Sequence, residues 1–331
     1  MAMSIPTVSI VVPAYNAGKT IGPLLDSLVR LEYPEYEVIV VNDGSRDGTG
    51  EIARGYRVRV IDQLNRGASA ARDAGLRVAS GEIVAYVDSD VTVTRDWLQK
   101  LVLPFSDSTV AAVAGQTIFR NNDKCASWMR SVDIARRNAR RRTYTRLANG
   151  PNCAFRRNVL LEIGGFNPQW YHAEDTEVSY RIWHRGLRIQ YVPEAVVYHV
   201  PEDNWRTYVR KRYRDAKAFT RMLTRYTRQA VLEDVFVTLD MKIQPPLFLA
   251  ILFLGALSAL LALTPWMMVP ILGLGALAVL AVLLILPEAV AVARASNRPT
   301  FLLGGIALCL LRGFAWGLGL GVGSLRQLRR G

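Results

Sequence analysis

The sequence has little cysteine and, in its last quarter, almost no acid. Cys125, Cys153 and Cys309 are the only cysteines among 331 residues, and their spacing matches neither a metal site nor an evident disulfide. This usage excludes a disulfide-stapled secreted domain and is typical of a reducing compartment. From Pro245 onward the only acidic residue is Glu288. The chain therefore changes character near residue 245.

Long uncharged runs occupy the acid-poor part. Residues 247–263 and 266–286 are each near the length that spans a bilayer, so we predict two spans there. Residues 301–322 form a third candidate, but this run carries Arg312 near its middle, and an unpaired Arg is costly in lipid. The third run is therefore predicted to be a span whose Arg faces protein, a re-entrant pair of short helices, or an interfacial helix.

The N-terminal segment lacks the basic start and the long apolar run of a signal peptide, so we expect the first 240 residues to stay in the cytoplasm. The net charge of +13 is concentrated at residues 135–146 and 208–217. Nothing here resembles a nucleic-acid-binding module, so these clusters are predicted to meet anionic or phosphorylated lipid. Arg294 and Arg298 follow the second run, and the positive-inside rule therefore predicts a multi-pass protein of the cell membrane with its N-terminal part inside.

The first hundred residues alternate apolar, β-branched runs with helical patterns. Strands are predicted at residues 8–15, 37–45, 57–62 and 82–88, with helices between them. This alternation predicts an α/β fold with a mostly parallel, Rossmann-like sheet that helices cover on both faces. Residues 189–200 predict a strand, a turn and a second strand. The predicted division is a soluble region of residues 1–240, with halves 1–105 and 106–240, and a C-terminal α-helical membrane region of residues 245–331.

Acidic side chains follow two of the predicted strands, at the edge where open parallel sheets bind ligands. Asp43 lies at the end of the second predicted strand, and Asp88 and Asp90 lie at the end of the fourth. Carboxylates that share a cleft repel one another unless a cation lies between them. Oxygen ligands suit Mg²⁺ or Mn²⁺, which are commonly held by carboxylates together with substrate phosphates. The pattern predicts a metal bridge to a diphosphate, although an isolated Asp-x-Asp is more often structural.

The chain strongly resembles the family-2 glycosyltransferases of the GT-A fold. The resemblance rests on an ordered set of motifs: "VSIVVPAYN", "EVIVVNDGSRDGT", "EIVAYVDSD" and "GGF…AEDTEVSYR". It extends from about residue 7 to residue 200. It implies a nucleotide-sugar-binding domain and an inverting, metal-dependent transfer of a sugar to a hydroxyl group. The acceptor would be a lipid, a lipid-linked saccharide or a membrane-proximal glycan.

The resemblance also implies roles for individual residues. Nucleotide contacts are expected from Pro13, Ala14, Tyr15, Asp43, Arg72 and Asp88. Asp43 and the main chain around Ala14 would contact the base, with a weak preference for uridine. Asp73 stands where relatives carry Asn, which leaves the contacts of Arg72 open.

Metal binding and catalysis are assigned in the same way. Asp90 would ligate Mg²⁺ or Mn²⁺, with Asp88 beside it and His199 as a further ligand. Asp175 would be the catalytic base, since a carboxylate at a helix N-terminus stays ionised. Glu174 and Asn152 would contact the acceptor or the donor sugar.

Four other functions are weighed against this one. Processive synthases of the family carry Gln-x-x-Arg-Trp where this chain has Lys211–Asp215, and the predicted spans are too few for a polymer channel. Direct transfer to polyprenyl phosphate, with arginines holding the lipid phosphate, is the second alternative. A non-catalytic scaffold is less consistent with the intact acidic motifs. A nucleotidyltransferase would carry a Gly-rich phosphate loop after the first strand, and this sequence has none there.

Overall fold

The computed structural model describes residues 5–120, 123–201, 204–226 and 239–328. Its contacts form two compact units. The first consists of Met1–Arg120 and Asn138–Val200, and the second of Asn121–Arg137 and Pro201–Gly331. The division at residue 240 stays a prediction. Two helices of the predicted soluble region belong to the second unit, together with the C-terminal apolar helices.

Nine strands of the first unit, among its described residues, form one sheet. They are β1 (Val8–Ala14), β2 (Tyr36–Asn42), β3 (Arg59–Asp62), β4 (Ile83–Val87), β5 (Val91–Val93), β6 (Val110–Phe119), β7 (Tyr144–Thr145), β8 (Asn152–Arg156) and β9 (Arg188–His199). Their order is β3-β2-β1-β4-β8-β6-β9-β5, and β7 pairs with β9.

The first four strands are parallel to one another, and β8 reverses direction between β4 and β6. The predicted α/β class with a Rossmann-like, mostly parallel sheet is confirmed. The third strand begins at Arg59 and not at Arg57 as predicted.

The predicted turn within residues 189–200 is wrong. β9 is one strand that runs parallel to β6, with a register shift that places Gly115 opposite Val192 and Gln116 opposite Val196. Pro193 has no N–H to donate to the ladder, so the pairing breaks there without a change of direction. The continuous strand carries His199 to the end of the sheet.

Helices cover both faces of the sheet. They are α1 (Ile21–Leu28), α2 (Thr49–Arg54), α3 (Ala68–Val78), α4 (Trp97–Val102), α6 (Arg157–Glu162) and α7 (Glu174–His184). Ile10 and Val12 of β1 face the core that contains α1 and α4, and Val11 faces the core that contains α3 and α7. This double cover explains why the strand sequences are continuous apolar runs.

The second unit is helical. It contains most of α5 (Cys125–Asn138), and α8 (Trp205–Arg225), α9 (Leu239–Leu260), α10 (Met268–Ser296) and α11 (Phe301–Leu328). Three of its segments are long and apolar enough to cross a membrane: Lys242–Leu260, Met268–Ser296 and Phe301–Leu325. Because residues 301–328 form one continuous helix, the re-entrant alternative is wrong.

Small residues allow α8 and α11 to pack closely. A Cβ added to Gly319 of α11 would lie 2.7 Å from the Cβ of Ala216 on α8. Glycine at such crossings is common between membrane helices, because it lets two backbones approach. Arg312 of α11 is 5% exposed and pairs with Glu288 of α10. Of the predicted alternatives, the third apolar run thus matches a helix whose Arg faces protein.

Candidate active site

The parallel strands deliver acidic residues to one edge of the sheet. β1, β2 and β4 lie side by side and end at Ala14, Asn42 and Val87. Asp43 and Asp88 follow the last two directly. The structure therefore places both at the carboxyl edge, as the sequence predicts.

Asp88, Asp90 and His199 form a cluster. One ligand atom from each lies within 4.8 Å of the other two. Asp90 immediately precedes β5, whose first residue, Val91, pairs with His199 at the end of β9. The N–H of Val200 donates to the main-chain carbonyl of Asp90 at 2.9 Å, which joins the two segments. The structure thus brings together the three residues predicted as metal ligands.

The imidazole of His199 is oriented by the main chain. Its Nδ1 lies 2.6 Å from the carbonyl oxygen of Val200, and its Nε2 lies 3.4 Å from Oδ1 of Asp90. Because a carbonyl only accepts, Nδ1 carries the proton and Nε2 of the neutral ring has its lone pair available. Histidine ligands are commonly held by such a bond. Two carboxylates and an imidazole nitrogen are a donor set that fits Mn²⁺.

Asp43 is nearly buried, with 3% of its surface exposed. Its Oδ1 accepts from Nε2 of Gln63 at 2.6 Å and from the N–H of Arg66 at 2.8 Å, and its Oδ2 accepts from the N–H of Gly67 at 2.8 Å. An ionised carboxylate has about four acceptor positions, so one is left on Oδ2. Asp43 fixes the loop between β3 and α3, and its contact with a base stays a prediction.

The three residues at the end of β1 differ in accessibility. Pro13 and Ala14 are buried within the sheet, whereas Tyr15 is 52% exposed. Asn16 then has a φ of 48°, a left-handed conformation that Asn tolerates better than most residues. Of the three, Tyr15 is the residue whose side chain could reach a ligand.

Arg72 connects Asp88, after the end of β4, with Glu174, at the start of α7. Its Nη2 donates to Oδ1 of Asp88 at 2.6 Å, and its Nη1 donates to Oε1 of Glu174. The guanidinium side chain is 4% exposed. A single buried cation therefore joins the end of β4 to the start of α7. A direct contact between Arg72 and a nucleotide stays a prediction.

The ionic surroundings shift the pKa values of this pair. Burial raises the pKa of Glu174 to about 7, since the opposing effect of Arg72 is smaller and Asp175 adds to the rise. Burial alone would lower the pKa of Arg72, but Glu174 and Asp88 outweigh it and raise that pKa above its ordinary value. Glu174 therefore takes up a proton near pH 7 even with Arg72 beside it.

Asp175 lies in the first turn of α7. Its Oδ2 accepts from the N–H of Gly150 at 2.9 Å, and its Oδ1 accepts from the N–H of Thr176 at 2.7 Å. Ala173, which precedes the helix, has a φ of 59°, a conformation costly for Ala. The backbone thus fixes the predicted catalytic base in one orientation at the positive end of a helix.

The predicted sugar contact by Asn152 is not supported by its position. Asn152 is fully buried in β8. Its Oδ1 accepts from Nε1 of Trp97 at 2.9 Å, and its Nδ2 donates to the carbonyls of Gln116 and Ala195 at 2.9 and 2.8 Å. These bonds tie β8 to β6 and β9, so the role of this side chain is structural.

Sequence reasoning missed three features of the site. The bridge from Arg72 to Glu174 joins residues about a hundred positions apart, and no local pattern indicates it. The N–H of Gly150 is a main-chain group, and no side-chain pattern in the sequence indicates that it donates to Asp175. Tyr171, which is 59% exposed, donates to Oδ1 of Asn65 at 3.2 Å beside the Asp43 loop. The sequence indicates Tyr171 only as an aromatic residue close to Glu174 and Asp175.

A cleft of about 830 Å³ lies at the opposite edge of the sheet. Its lining includes Tyr33, Glu82, Phe105, Arg156 and Arg157. It lies at the start of β4, whereas Asp88 follows the end of that strand. The cluster of possible metal ligands, and not the volume of this cleft, identifies the candidate site.

Comparison with known proteins agrees with this geometry. Residues 9–164 match the sequence profile of Glycosyl transferase family 2. The matched part is a little less than half of the 331-residue chain. The first unit is a GT-A-like domain.

The relatives carry the names of glycosyltransferases. The chain is 28% identical to the Probable glycosyltransferase YdaM of Bacillus subtilis over 70% of this chain and 61% of that protein. It is 30% identical to an N-acetylglucosaminyltransferase of Rhizobium sp. over 79% of this chain and 64% of that protein. The chain thus spans a little under two thirds of these two relatives.

A solved structure shares the fold. The mannosyltransferase PcManGT of Pyrobaculum calidifontis, determined in complex with GDP-Man and Mn²⁺, superposes with a TM-score of 0.63. The match covers 91% of this chain and 86% of that one at 24% identity. At this identity the likeness concerns the fold.

Proposed function

We propose that this protein is a family-2 glycosyltransferase, which transfers a sugar from a nucleoside-diphosphate sugar to a hydroxyl group at a membrane surface, with inversion at the anomeric carbon and with a divalent metal ion. The observation that carries this proposal is the cluster of Asp88, Asp90 and His199, in which Asp88 is joined through Arg72 to Glu174, the residue before Asp175. The residues proposed to act on the diphosphate and to remove the proton thus lie at one edge of one sheet.

The residues of the chain divide the reaction between them. Asp88, Asp90 and His199 would hold the metal ion, which when bound neutralises charge on the diphosphate leaving group. Asp175 accepts the proton of the acceptor hydroxyl while the hydroxyl oxygen bonds to the anomeric carbon. The bond between that carbon and the phosphate oxygen breaks, and the nucleoside diphosphate leaves with the electron pair. A single displacement inverts the anomeric centre. Gly150 and Thr176 hold the carboxylate of Asp175 in place.

The donor is proposed by class. Sequence resemblance weakly favours a UDP-sugar, and the solved relative bound GDP-Man. Mn²⁺ is favoured over Mg²⁺ because His199 offers nitrogen, whereas Mg²⁺ prefers oxygen ligands. Asp43 beneath its loop and Tyr15 at the rim are the residues proposed to meet the base.

The acceptor is proposed to be a lipid, a lipid-linked saccharide or a membrane-proximal glycan. Three helices that could cross a membrane support a multi-pass protein of the cell membrane, and the arginines at 294 and 298 favour a cytoplasmic catalytic domain. Transfer to polyprenyl phosphate is the second candidate, because α5 and α8 bring basic side chains into the same unit as these helices.

The deciding experiment uses purified full-length protein with Mn²⁺ and a panel of nucleotide sugars, with membrane lipid extract as acceptor. We expect Asp90→Asn to abolish turnover and nucleotide-dependent Mn²⁺ binding, and Asp107→Asn, a control whose side chain is 43% exposed, to change neither. No binding or turnover of any common nucleotide sugar by the wild type would overturn the proposal.

The two acceptor classes are separated by Asp175→Asn. A hydroxyl acceptor needs a base, so turnover should fall by about 10² to 10⁴. A phosphate acceptor is already ionised and should be affected far less. Retained binding of the nucleotide sugar shows that the variant is folded.

A further inference from the structure

The last apolar helix, α11, can lie in a membrane in two ways. Its segment Phe301–Leu325 is long enough to cross a bilayer, but an interfacial helix of the same length would lie in the plane of the membrane surface. In both arrangements Arg312 can face protein, so the burial of its side chain does not distinguish them. The places at which α11 contacts α8, α9 and α10 do.

Arg312 contacts α9 near its start and α10 after its uncharged run. Its Nη1 and Nη2 each lie 2.6 Å from an oxygen of Glu288, and its Nη2 lies 3.2 Å from Oε1 of Gln244. Glu288 directly follows the uncharged residues 268–287 of α10, and Gln244 precedes the uncharged residues 247–263 of α9. About 20 apolar residues cross a bilayer once. If α9 crosses and α10 returns, Gln244 and Glu288 lie at the same surface, and Arg312 lies there with them.

Neither half of α11 is long enough to cross the bilayer from that surface. At a rise of about 1.5 Å per residue, the helix from Phe301 to Arg312 is about 17 Å long, and the helix from Arg312 to Leu328 is about 24 Å long. The hydrocarbon core of a bilayer is about 30 Å thick. A helix whose middle lies at one surface therefore does not reach the other.

A second helix, α8, runs beside the second half of α11. A Cβ added to Gly319 of α11 would lie 2.7 Å from the Cβ of Ala216 on α8, and a Cβ added to Gly323 would meet Oγ1 of Thr220. Both pairs advance by four residues in the same direction, so the two helices are parallel and in close contact. Wherever α11 lies in the membrane, α8 lies next to it.

α8 carries basic residues along one face. Arg210, Arg214 and Arg225 are exposed, and Lys217 and Arg221 lie between the last two at the spacing of the same helix face. Charged side chains in the middle of a bilayer are costly. If α11 crossed the membrane, it would take this basic helix into the hydrocarbon core. The charge of α8 thus favours a position of both helices at the membrane surface.

The other side of α11 is apolar and exposed. Four leucines on it are between 39% and 75% exposed, and we call them the leucine face: Leu303, Leu311, Leu318 and Leu325. Their intervals of seven or eight residues place them on one side of the helix, whereas Arg312 and Gly319 are buried on the side that packs against protein. An interfacial helix has this construction, because its apolar face enters the lipid while its polar neighbours stay in water.

We propose that α11 lies in the plane of the membrane surface, with the leucine face inserted among lipid acyl chains and with α8 packed on the side away from them. The partner of the leucine face is the lipid bilayer itself. The membrane region then crosses the bilayer twice, through α9 and α10. This inference depends on these two helices crossing and not on the transfer chemistry.

The test measures the depth of a spin label attached to single cysteines of the full-length protein in lipid vesicles. Cys153 and Cys309 are buried, and Cys125 is replaced by Ser. The label is placed at each position of the leucine face, with Leu311→Cys as one example. Val269→Cys and Val279→Cys, at two heights of α10, are the matched control for a helix that crosses.

The four labels of the leucine face should lie at one shallow depth. On α10 the label at residue 279 should lie deeper than the label at residue 269 by about 10–15 Å, because ten residues of helix are about 15 Å long. If the labels at residues 311 and 318 lie deep while those at 303 and 325 are shallow, α11 crosses and the proposal is overturned. Labels that neither lipid-soluble oxygen nor a water-soluble reagent reaches would also overturn it, because protein and not lipid would then cover the leucine face.

A second measurement keeps the proposal testable if a labelled variant fails to fold. A cysteine added after Gly331 and Leu263→Cys, in the connection between α9 and α10, are reacted with a membrane-impermeant maleimide in sealed vesicles. The two cysteines should lie on opposite sides of the membrane. Reaction of both from the same side would overturn the proposal, since either α11 crosses or α9 and α10 do not. Turnover measured on the same variants is independent of this outcome, so the proposed function and the position of α11 are tested separately.

Discussion

Replacing Arg72 by Met is the sharpest test of how the candidate site is built. The guanidinium is 4% exposed and bonds to Asp88 and Glu174. Met keeps much of the side-chain volume but leaves two carboxylates without their cation. Removing one partner of a buried pair typically costs about 3–5 kcal/mol. For a domain of this size that corresponds to a fall in melting temperature of roughly 6–20 °C.

The expected cost depends on pH. Arg72 opposes the burial effect that raises the pKa of Glu174 to about 7. Without Arg72 this pKa rises further, so Glu174 is protonated at neutral pH and part of the cost disappears. The difference in melting temperature between wild type and Arg72→Met should therefore be larger at pH 8.5 than at pH 6.

The assay is thermal unfolding of the full-length protein, with Arg77→Met as control. Arg77 lies on the same helix, is half-exposed, and pairs with Asp73 at 3.3 Å. An exposed pair of this kind contributes at most about 1 kcal/mol. A second arm adds Glu174→Gln to Arg72→Met, which should recover part of the loss because it removes an unpaired buried charge. If Arg72→Met melts no lower than Arg77→Met at pH 8.5, the account of Arg72 as the buried link is wrong.

The remaining predictions concern the metal ligands, the pH dependence and the helical unit. His199→Ala should weaken nucleotide-dependent Mn²⁺ binding at least about ten-fold, measured by calorimetry, while His184→Ala should not. Because the folded-state pKa of Glu174 is raised, its contribution to stability falls as pH rises from about 4.5 to 7, and Glu174→Gln should flatten that part of the melting-temperature profile. Arg312→Leu should destabilise the protein by about 3–5 kcal/mol, whereas the double change with Glu288→Leu should be much milder; equal losses would contradict a buried pair.

The sequence predicts those parts of the fold that depend on local pattern. The apolar runs around β1, β2 and β4 are long and β-branched, and the acids that follow them have to reach one edge once the strands are parallel. The three-residue β5 has no comparable signal. Its antiparallel pairing with β9 brings Asp90 to His199, so only family resemblance could have indicated that histidine.

Side-chain roles inside the site are less predictable, because they depend on contacts between distant residues. Asn152 lies in a motif position that suggested a sugar contact, but the side chain hydrogen-bonds to three neighbouring elements of the core. Arg72 is polar in the middle of α3, which a sequence pattern reads as a surface position. It is buried because α7 places Glu174 against it.

Negative charge is in excess at the candidate site of the first unit, among the residues that the structure describes. At the edge of the sheet Asp88, Glu174 and Asp175 share one guanidinium, and Asp90 with His199 adds further donor atoms for a cation. Such an excess is costly without a cation, because carboxylates that share a cleft repel one another. The divalent ion that we propose for sugar transfer is also the ligand that would remove this cost.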